Sequence, residues 1–321
     1  MPVSSMRIKV KAMAKVNLAL EISAALPDGY HGLDTVFQAL ELSDLLILEK
    51  ATAEESGLKI IDRVGAGFKV FNNSDNLVLR AQRKLEDLVG YPLPCKFTLC
   101  KNIPAGGGLG GGSADAAAAL KGLNKLYKLN LEPEVMHSAA ASLGADVAFG
   151  LVEGTARGLG RGDQITSLPV PAQLKYWGVL LVIPPFSLST PEVYKAWDRL
   201  ADSKRHLAVG SALKLVELLE ERNEVMNRRD WELVFLNCLK NDLYPAAQFL
   251  YPRLKTILQG LTSWGCSAAL LCGSGSTVFG LISPEVYKQV RLKPKLLSPL
   301  RKFGRIKLTQ FSLKSQTNKK K

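Results

Sequence analysis

Ile-Pro-Ala-Gly-Gly-Gly-Leu-Gly-Gly-Gly-Ser-Ala, at residues 103–114, is the stretch that carries the strongest structural signal in the chain. A strand-like run at 96–100 precedes it, and an alanine-rich helical pattern follows it directly. Glycine leaves peptide N–H groups open to a ligand. The N-terminus of the following helix adds unpaired donors and a partial positive charge. The stretch therefore predicts an anion site, and phosphate is the anion it suits best.

This glycine loop differs from the two best-known phosphate loops. A Walker A loop ends in Gly-Lys-Ser/Thr, whereas this one ends in Gly-Ser-Ala. A dinucleotide spacing of G-x-G-x-x-G fits inside the run, but the helix continues into Lys125 and Lys128 without reaching the acidic residue that this motif needs. A flexible linker is the plain alternative, and the direct junction with a helix disfavours it. Asp115, in the predicted first turn, is interpreted as ordinary helix chemistry.

Composition indicates a globular protein with one large or two modest domains. The chain has 321 residues, of which 47% are hydrophobic and 22% charged. Five cysteines without C-x-x-C spacing and three histidines argue against a zinc site or a disulfide framework. They favour a reducing compartment, most simply the cytoplasm of a bacterium, and leave open a plastid form that lacks its transit peptide. No signal peptide or membrane span is predicted.

The net charge of +13 suits a polyphosphate substrate as well as a nucleic acid. Much of the excess lies near the C-terminus, where residues 314–321 are predicted to form a basic disordered tail. Elsewhere basic and aromatic residues do not alternate, so we expect no stable nucleic-acid partner and no membrane partner.

Periodicity predicts a mixture of strands and helices, and therefore an α+β fold. Strand patterns cover 14–22, 45–49, 58–62, 96–100, 178–183, 267–272 and 277–282. Helical patterns cover 75–89, 113–128, 133–142, 191–200 and much of 208–261.

Three separated motifs together resemble one superfamily. They are Lys15-Val16-Asn17 in the opening strand, the stretch 104–114, and Cys-Gly-Ser-Gly-Ser-Thr-Val-Phe-Gly at 272–280. In this order they resemble the galactokinase, homoserine kinase, mevalonate kinase and phosphomevalonate kinase (GHMP) superfamily. The resemblance implies a two-domain GHMP-kinase fold. A ribosomal protein S5 domain 2-like, ATP-binding N-terminal domain would cover 1–170, and a ferredoxin-like α/β C-terminal domain would cover 171–313.

Further motifs narrow the resemblance. Pro-Asp-Gly-Tyr-His at 27–31, Phe37-Gln38, Leu-Gly-Ala-Asp-Val at 143–147 and Ser-Thr-Pro-Glu-Val-Tyr at 189–194 resemble the superfamily members whose acceptor is 4-diphosphocytidyl-2-C-methyl-D-erythritol. This resemblance implies ATP-dependent phosphorylation of the acceptor's 2-hydroxyl, on the non-mevalonate route to isoprenoid precursors. The chain departs from that pattern at Ser276, where the family usually has proline, and at Gly32, where a larger residue is common.

The resemblance assigns the nucleotide contacts and a place for Mg²⁺. Ser113 would also face the metal ion, and Asn76 and Lys101 match positions that contact the nucleotide. The loop residues that would hold the ATP phosphates are Pro104, Ala105, Gly106, Gly107, Gly108, Leu109, Gly110, Gly111, Gly112, Ser113 and Ala114.

Two residues are the catalytic candidates. By resemblance, Asp146 is the base that accepts the acceptor's hydroxyl proton. The cation of Lys15 could stabilise ionised Asp146 and the negative charge that develops on the reacting oxygens. An aspartate after a helix end is usually structural, so the resemblance alone singles out Asp146.

A third set of residues would hold the acceptor. Tyr30 and Tyr194 could stack on the two faces of the cytosine, and His31 could hydrogen-bond its edge. The residues that would contact the polyol and the diphosphate and complete the pocket are Asn17, Phe37, Thr190, Gly273, Ser274 and Gly275.

Two other functions stay open from the sequence. The first is a kinase of the same superfamily that acts on homoserine, mevalonate or a sugar. The second is a catalytically silent nucleotide- or RNA-binding protein on the same fold. The sequence is compatible with a monomer or a homodimer.

Overall fold

The structure is a computed structural model that describes residues 6–27, 29–64, 73–170, 172–200, 210–220 and 226–313. Asp28 of the tyrosine-histidine motif and the predicted basic tail lie outside the described residues. No helix among the described residues is both long enough and apolar enough to cross a bilayer. All five cysteines lie in the described part of the chain, where each is a buried free thiol.

The elements confirm the predicted α+β class. The strands are β1 Arg7–Ala25, β2 His31–Lys50, β3 Gly57–Asp62, β4 Cys95–Lys101, β5 Thr155–Leu159, β6 Gln164–Leu168, β7 Gly178–Ile183, β8 Lys240–Asn241, β9 Ala268–Leu271, β10 Val278–Ile282 and β11 Arg305–Gln310. The α-helices are α1 Leu77–Val89, α2 Gly111–Tyr127, α3 Pro133–Leu143, α4 Ala145–Val152, α5 Thr190–Arg199, α6 Ser211–Glu220, α7 Arg228–Cys238, α8 Tyr244–Leu250, α9 Arg253–Trp264 and α10 Pro284–Leu292. Short 3₁₀ helices cover Ala172–Leu174 and Pro294–Phe303.

The described strands form two sheets. The seven-stranded sheet has the order β3-β4-β2-β1-β8, with β5 paired to β2 and β6 paired to β5. The C-terminal part of β2, Leu45–Lys50, pairs with β4, whereas its N-terminal part, Thr35–Gln38, pairs with β5. The four-stranded sheet has the order β11-β7-β10-β9, and each neighbouring pair in it is antiparallel.

The chain divides into two compact units. Unit 1 comprises Met1–Ala14, Leu42–Ala105 and Gly110–Val152. Unit 2 comprises Lys15–Glu41, Gly106–Leu109 and Glu153–Lys321. Strands β1 and β2 each contribute to both units, and so does the glycine loop, of which residues 106–109 belong to unit 2 and the rest to unit 1.

Helices α1 to α4 pack together in unit 1. The alanine-rich helix α2 is buried along most of its length, from Ala114 to Leu120 and again at Leu123 and Leu126. Alanine favours the helix and is small enough to let neighbouring helices approach closely. Helix α2 is therefore a rigid central element, and it begins directly at the glycine loop.

The core of unit 2 is built mainly from the four-stranded sheet and the helices that cover it. Buried side chains from β7 and β10, among them Leu180, Val182 and Val278, pack with Val193 and Trp197 of α5. Residues of α8 and α9 extend the same core: Ala246, Ala247, Leu254, Ile257 and Leu261. Burial of this apolar surface fixes the ends of β9 and β10, which carry the loop at 272–277.

Candidate functional site

Parts of the three sequence motifs come together in unit 2 around Lys15. The backbone N–H of Lys15 donates to the carbonyl oxygen of Leu109, with an N···O distance of 3.0 Å. The N–H of Thr277 donates to the carbonyl oxygen of Gly107, at 3.2 Å. The opening strand, the first part of the glycine loop and the loop at 272–277 therefore form one hydrogen-bonded arrangement.

Gly108 shows how closely the two loops approach each other. Its backbone has φ of 77°, and a Cβ added there would lie 1.9 Å from the carbonyl oxygen of Cys272. Both the positive φ and this contact require glycine. The loops thus pack backbone against backbone, which leaves peptide groups rather than side chains to form their surface.

Lys15 and Asn17 form a buried polar chain on one face of β1. Lys15 is only 6% exposed, and its Nζ donates to Oδ1 of Asn17 at 3.0 Å. Asn17 in turn donates through Nδ2 to Oγ1 of Thr35 at 2.8 Å, and that hydroxyl donates to the carbonyl oxygen of Ala19 at 2.7 Å. Each link orients the next, so the position of the Lys15 ammonium is well defined.

The Lys15 ammonium borders the glycine backbone of the loop at 272–277. A Cβ added to Gly273 would lie 3.4 Å from Nζ of Lys15 and 3.6 Å from Oδ1 of Asn17. The buried ring of Phe37 lies on another side, with its centroid 5.4 Å from Nζ. A buried cation costs free energy unless it meets compensating groups, and one placed beside two glycine loops is suited to the charge of a phosphate ligand.

The loop at 272–277 is held by side chains from two other elements. Asn241 of β8 donates through Nδ2 to the carbonyl oxygens of Leu271 and Gly273, both at 2.8 Å. The hydroxyl of Thr190, at the start of α5, lies 2.7 Å from that of Ser274. Asn241 was not predicted as a site residue, because it falls within the largely helical pattern predicted for 208–261, where a lone asparagine carries no recognisable signal.

The turn of the same loop is closed by its own backbone. The N–H of Gly275 donates to the carbonyl oxygen of Cys272 at 2.8 Å. Ser276, which stands where the family usually has proline, is buried, and its hydroxyl donates to the carbonyl oxygen of Phe186. The serine hydroxyl in this turn therefore has a hydrogen-bond partner.

A second group of candidates surrounds His31 at the start of β2. The rings of His31 and Tyr194 stack, with centroids 5.3 Å apart and planes at 25°. Trp197 meets the imidazole edge-on at 5.2 Å, and Oδ1 of Asp198 lies 2.7 Å from Nε2. Trp197 and Asp198 were not predicted as site residues, although their spacing of three and four residues from Tyr194 places all three on one face of α5.

Tyr30 differs from Tyr194 in its environment. Its side chain is 59% exposed, and the guanidinium of Arg161 lies 4.3 Å from its ring centroid. Both tyrosines are thus in unit 2 beside the elements that carry His31. Their predicted contact with a cytosine stays a prediction.

Unit 1 contains the second part of the glycine loop. Helix α2 begins at Gly111, two residues earlier than predicted, and Gly110 precedes it in the left-handed conformation. The N–H of Ala114 donates to the carbonyl oxygen of Gly110 at 2.8 Å. Positive φ also occurs at Gly106 and Gly108, so every second residue from 106 to 110 has this conformation. Such alternation is typical of backbone nests that bind anions through N–H groups. Ser113 is half-buried in the first turn of α2.

Asp146 lies in the first turn of α4, a short helix that the sequence analysis described only as an apolar segment. The N–H of Val147 donates to the carbonyl oxygen of Gly144 at 3.0 Å, which marks the start of the turn. Helix α4 packs tightly on α2, because a Cβ added to Gly150 would lie 2.6 Å from Cβ of Ala117. Asp146 is therefore on a helix held against the one that carries Ser113.

Asn76 occupies the N-cap of α1, where its Oδ1 accepts from the N–H of Val78 at 2.9 Å. Its neighbour Leu77 lies beside the start of α2, since a Cβ added to Gly112 would be 3.6 Å from Cδ1 of Leu77. The structure thus brings the predicted nucleotide residue Asn76 to the same end of α2 as the glycine loop.

Lys101 is almost completely buried between two carboxylates. Its Nζ lies 2.6 Å from Oδ2 of Asp115 and also binds Oδ2 of Asp44. Burial disfavours the ammonium, but Asp115 and Asp44 outweigh that effect and raise the pKa of Lys101. Burial is the main reason that the pKa of Asp115 is raised well above its usual range.

Asp115 corrects the interpretation made from the sequence. Because α2 begins at Gly111, Asp115 lies beyond the first turn, and its side chain faces the interior instead of serving the helix dipole. Asp44 was also missed, because it precedes the predicted strand at 45–49 and β2 contains three other acids, so its sequence context does not mark it as buried.

Comparison with known proteins finds family models and relatives that match this chain. Residues 76–156 match the GHMP kinases N terminal domain, and residues 215–293 match the GHMP kinases C terminal domain. A curated relative, the 4-diphosphocytidyl-2-C-methyl-D-erythritol kinase of Moorella thermoacetica, is 36% identical over 274 residues, which cover 85% of this chain and 90% of the relative.

Solved structures agree with the sequence relatives. A crystal structure of 4-(cytidine 5'-diphospho)-2C-methyl-D-erythritol kinase is 29% identical with a TM-score of 0.70, covering 95% of this chain and 99% of that one. The homoserine kinase of Cytophaga hutchinsonii is 18% identical with a TM-score of 0.71, covering 98% and 97% of the two chains. The second likeness concerns the fold alone.

Proposed function

The chain belongs to the 4-diphosphocytidyl-2-C-methyl-D-erythritol kinases of the GHMP superfamily, and we propose that it transfers the γ-phosphoryl group of ATP to the 2-hydroxyl of that acceptor. The product would be the 2-phosphate, an intermediate of the non-mevalonate isoprenoid route. The observation that carries the proposal is the arrangement in unit 2, where Lys15 and two glycine loops share hydrogen bonds.

The phosphates of ATP are bound by the loop at 104–114 and the first turn of α2. Peptide N–H groups of an alternating glycine backbone suit phosphate oxygens, and the positive end of the helix dipole adds to the attraction. Asn76 contributes from the start of α1. The loop carries no acidic side chain between 104 and 114 that would repel the phosphates.

Mg²⁺ fits the donor set of this site. The ion takes few ligands from a protein and completes its shell with phosphates and water, so the half-buried hydroxyl of Ser113 and the ATP oxygens suffice. No group of three or more acidic, histidine or cysteine side chains among the described residues forms a metal site of its own. When bound, the ion neutralises phosphate charge during transfer.

Two residues of the chain act on the reacting groups. Asp146 accepts the proton of the acceptor's 2-hydroxyl, whose oxygen forms a bond to the γ-phosphorus. The bond from that phosphorus to the oxygen bridging to ADP breaks, and ADP leaves with the electron pair. The Lys15 ammonium, oriented by Asn17, stabilises the negative charge on the phosphoryl oxygens.

The acceptor is held in unit 2. Tyr194 and Tyr30 offer aromatic faces to the cytosine, and His31 offers a ring nitrogen to its edge. Peptide groups at 273–275 bind the diphosphate, with Thr190 bound to Ser274 beside them. Asn17 and Phe37 complete the pocket around the polyol. The proposal includes a cytoplasmic location, a monomer or homodimer, and domains at 1–170 and 171–313.

The test is an ADP-release assay with ATP, Mg²⁺ and a panel of acceptors. We expect turnover with 4-diphosphocytidyl-2-C-methyl-D-erythritol and none with homoserine, mevalonate or galactose. The Asp146→Asn variant should lose the turnover with the cytidylyl acceptor. Turnover with one of the other acceptors instead would identify that compound as the substrate. Folded protein that binds ATP but phosphorylates nothing in the panel would contradict the enzymatic proposal.

A further inference from the structure

Asp44, Lys101 and Asp115 form a charged cluster inside unit 1. The exposed fractions of the three residues are 0%, 2% and 3%. Lys101 contacts both carboxylates through Nζ, and Oδ1 of Asp115 has no hydrogen-bond partner among the described residues. Charges this deeply buried are a poor way to gain stability, because desolvation offsets most of their attraction. Stability alone therefore does not explain why these three charged residues are buried together.

The members of the charged cluster lie on the two flanks of the glycine loop. Lys101 ends β4, directly before the loop, and Asp115 lies on α2, directly after it. Asp44 of β2 joins them from a third element. Because Lys101 binds both carboxylates, one ammonium connects the strand that enters the loop to the helix that leaves it.

Asp44 also binds the entry of the loop directly. Its Oδ1 accepts the backbone N–H of Asn102 and, at 2.8 Å, that of Ile103. The side chain of Asn102 donates to the carbonyl oxygen of Ser43 at 3.0 Å, which adds a further link to β2. The backbone up to Pro104 is thus fixed by at least three hydrogen bonds to one short part of β2.

The exit of the loop rests on the same side chains. A Cβ added to Gly111 would lie 3.0 Å from Cγ2 of Ile103 and 3.5 Å from Nζ of Lys101. The first residue of α2 therefore packs directly on the loop entry and on the ammonium. A shift of Lys101 would move the start of α2 relative to residues 102–105, and the N–H groups offered to a phosphate would move with it.

We propose that the charged cluster of Asp44, Lys101 and Asp115 positions the glycine loop for phosphate binding, and that Lys101 acts through this cluster rather than by touching the nucleotide. The inference rests on the proposed binding of ATP by that loop. Lys101 is then a positioning residue, and Asp44 and Asp115 are as necessary to ATP binding as the lysine.

A double-mutant cycle on ATP affinity, measured by calorimetry, tests the proposal. The variants are Asp44→Asn, Lys101→Met and the double variant, each first checked for a native circular dichroism spectrum. We expect each single variant to weaken ATP binding about tenfold or more, since small misplacements of binding groups are costly. The double variant should bind about as well as the weaker single one, because both break the same unit.

Kinetics supply a second readout. The KM for ATP should rise in parallel with the loss of affinity, while the KM for the acceptor stays within about twofold, since the acceptor is bound in unit 2. Glu86→Gln is the matched control, because Glu86 also accepts a backbone N–H in unit 1, that of Leu93 at 2.8 Å, but lies away from the loop flanks. It should leave ATP affinity unchanged.

Two outcomes would overturn the inference. If Lys101→Met weakens ATP binding while Asp44→Asn does not, Lys101 contacts the nucleotide itself. If all variants keep the wild-type affinity, the cluster serves only packing. Should Asp44→Asn fail to fold, the isosteric Asp115→Asn takes its place in the cycle. Wild-type ATP binding is measured first, so absence of binding there would count against the proposed function and not against the cluster.

Discussion

Two lysines are buried in the described part of the chain, Lys101 in unit 1 and Lys15 in unit 2, and their surroundings differ. Lys101 lies between two carboxylates, and its charge is balanced inside the fold. Lys15 is held by the amide of Asn17, and beside it lie the ring of Phe37 and the backbone of a glycine loop.

This difference in surroundings indicates that Lys101 and Lys15 have different roles. A cation neutralised by buried acids fixes the backbone around it, and its removal leaves uncompensated negative charge in the interior. The Lys15 ammonium borders the backbone of a glycine loop, and a cation in that place is suited to an incoming phosphate. Loss of Lys15 should therefore harm activity more than stability, and loss of Lys101 should harm both.

The largest effect on activity is expected from Lys15→Met. The kcat should fall by about a thousandfold, the upper range for removal of one preorganised charge at a transition state. The unfolding temperature should change little, since the methionine stem keeps most of the apolar contacts. Lys59→Met, at an exposed position on β3, is the control. A Lys15→Met variant with full activity would contradict the catalytic role assigned to Lys15.

The largest effect on stability is expected from Lys101→Met. Removal of one partner from a buried ionic cluster costs about 3–5 kcal/mol, because the remaining carboxylates stay desolvated. Urea unfolding followed by circular dichroism measures the loss. Arg228→Met removes an exposed pair with Glu232 on α7 and should have little effect. Equal losses in the two variants would show that burial of the cluster carries no special cost.

Gly108→Ala examines the backbone that borders Lys15. The added methyl group meets the carbonyl oxygen of Cys272, so the two glycine loops must separate. The kcat/KM for ATP should fall by about a hundredfold, the effect of a displacement near 1 Å at a reacting site. Gly57→Ala is the matched control, because a Cβ there meets no atom within 4 Å. Equal activity of the two variants would contradict the loop packing.

The smallest effect is expected at a more exposed charge. Asp198→Asn replaces the carboxylate that lies 2.7 Å from Nε2 of His31. The KM for the acceptor should rise by about tenfold, since a hydrogen bond to a charged group contributes about 1.5–3 kcal/mol. The kcat should stay near the wild-type value. Asp230→Asn, an exposed acid on α7, serves as control. A fall in kcat without a change in KM would mean that His31 does not hold the acceptor.

The sequence predicted those parts of the fold whose signals are local. The runs at 58–62 and 178–183 became β3 and β7 because a short apolar run between turns has few alternatives. The helix at 133–142 was also close to its observed bounds. The first part of β2 and the helix α4 were missed, because both depend on partners far along the chain, β5 for β2 and α2 for α4.

The candidate site was predictable only in part, for the same reason. The glycine run directly indicates a phosphate loop, and its packing against Cys272 and Thr277 is seen only in three dimensions. Asp44 and Asp115 were not predicted as a cluster, because nothing in the sequence shows that they share Lys101. A shift of two residues in the start of α2 was enough to assign Asp115 to the wrong environment.

The proposed reaction of the chain is phosphorylation of the 2-hydroxyl of 4-diphosphocytidyl-2-C-methyl-D-erythritol. Phosphorus NMR and mass spectrometry of the product made from ATP and this acceptor test it most directly. We predict one added phosphoryl group, present as a monoester on the 2-hydroxyl, with the diphosphate intact. A product phosphorylated elsewhere, or hydrolysis of ATP with the acceptor unchanged, would contradict the claim.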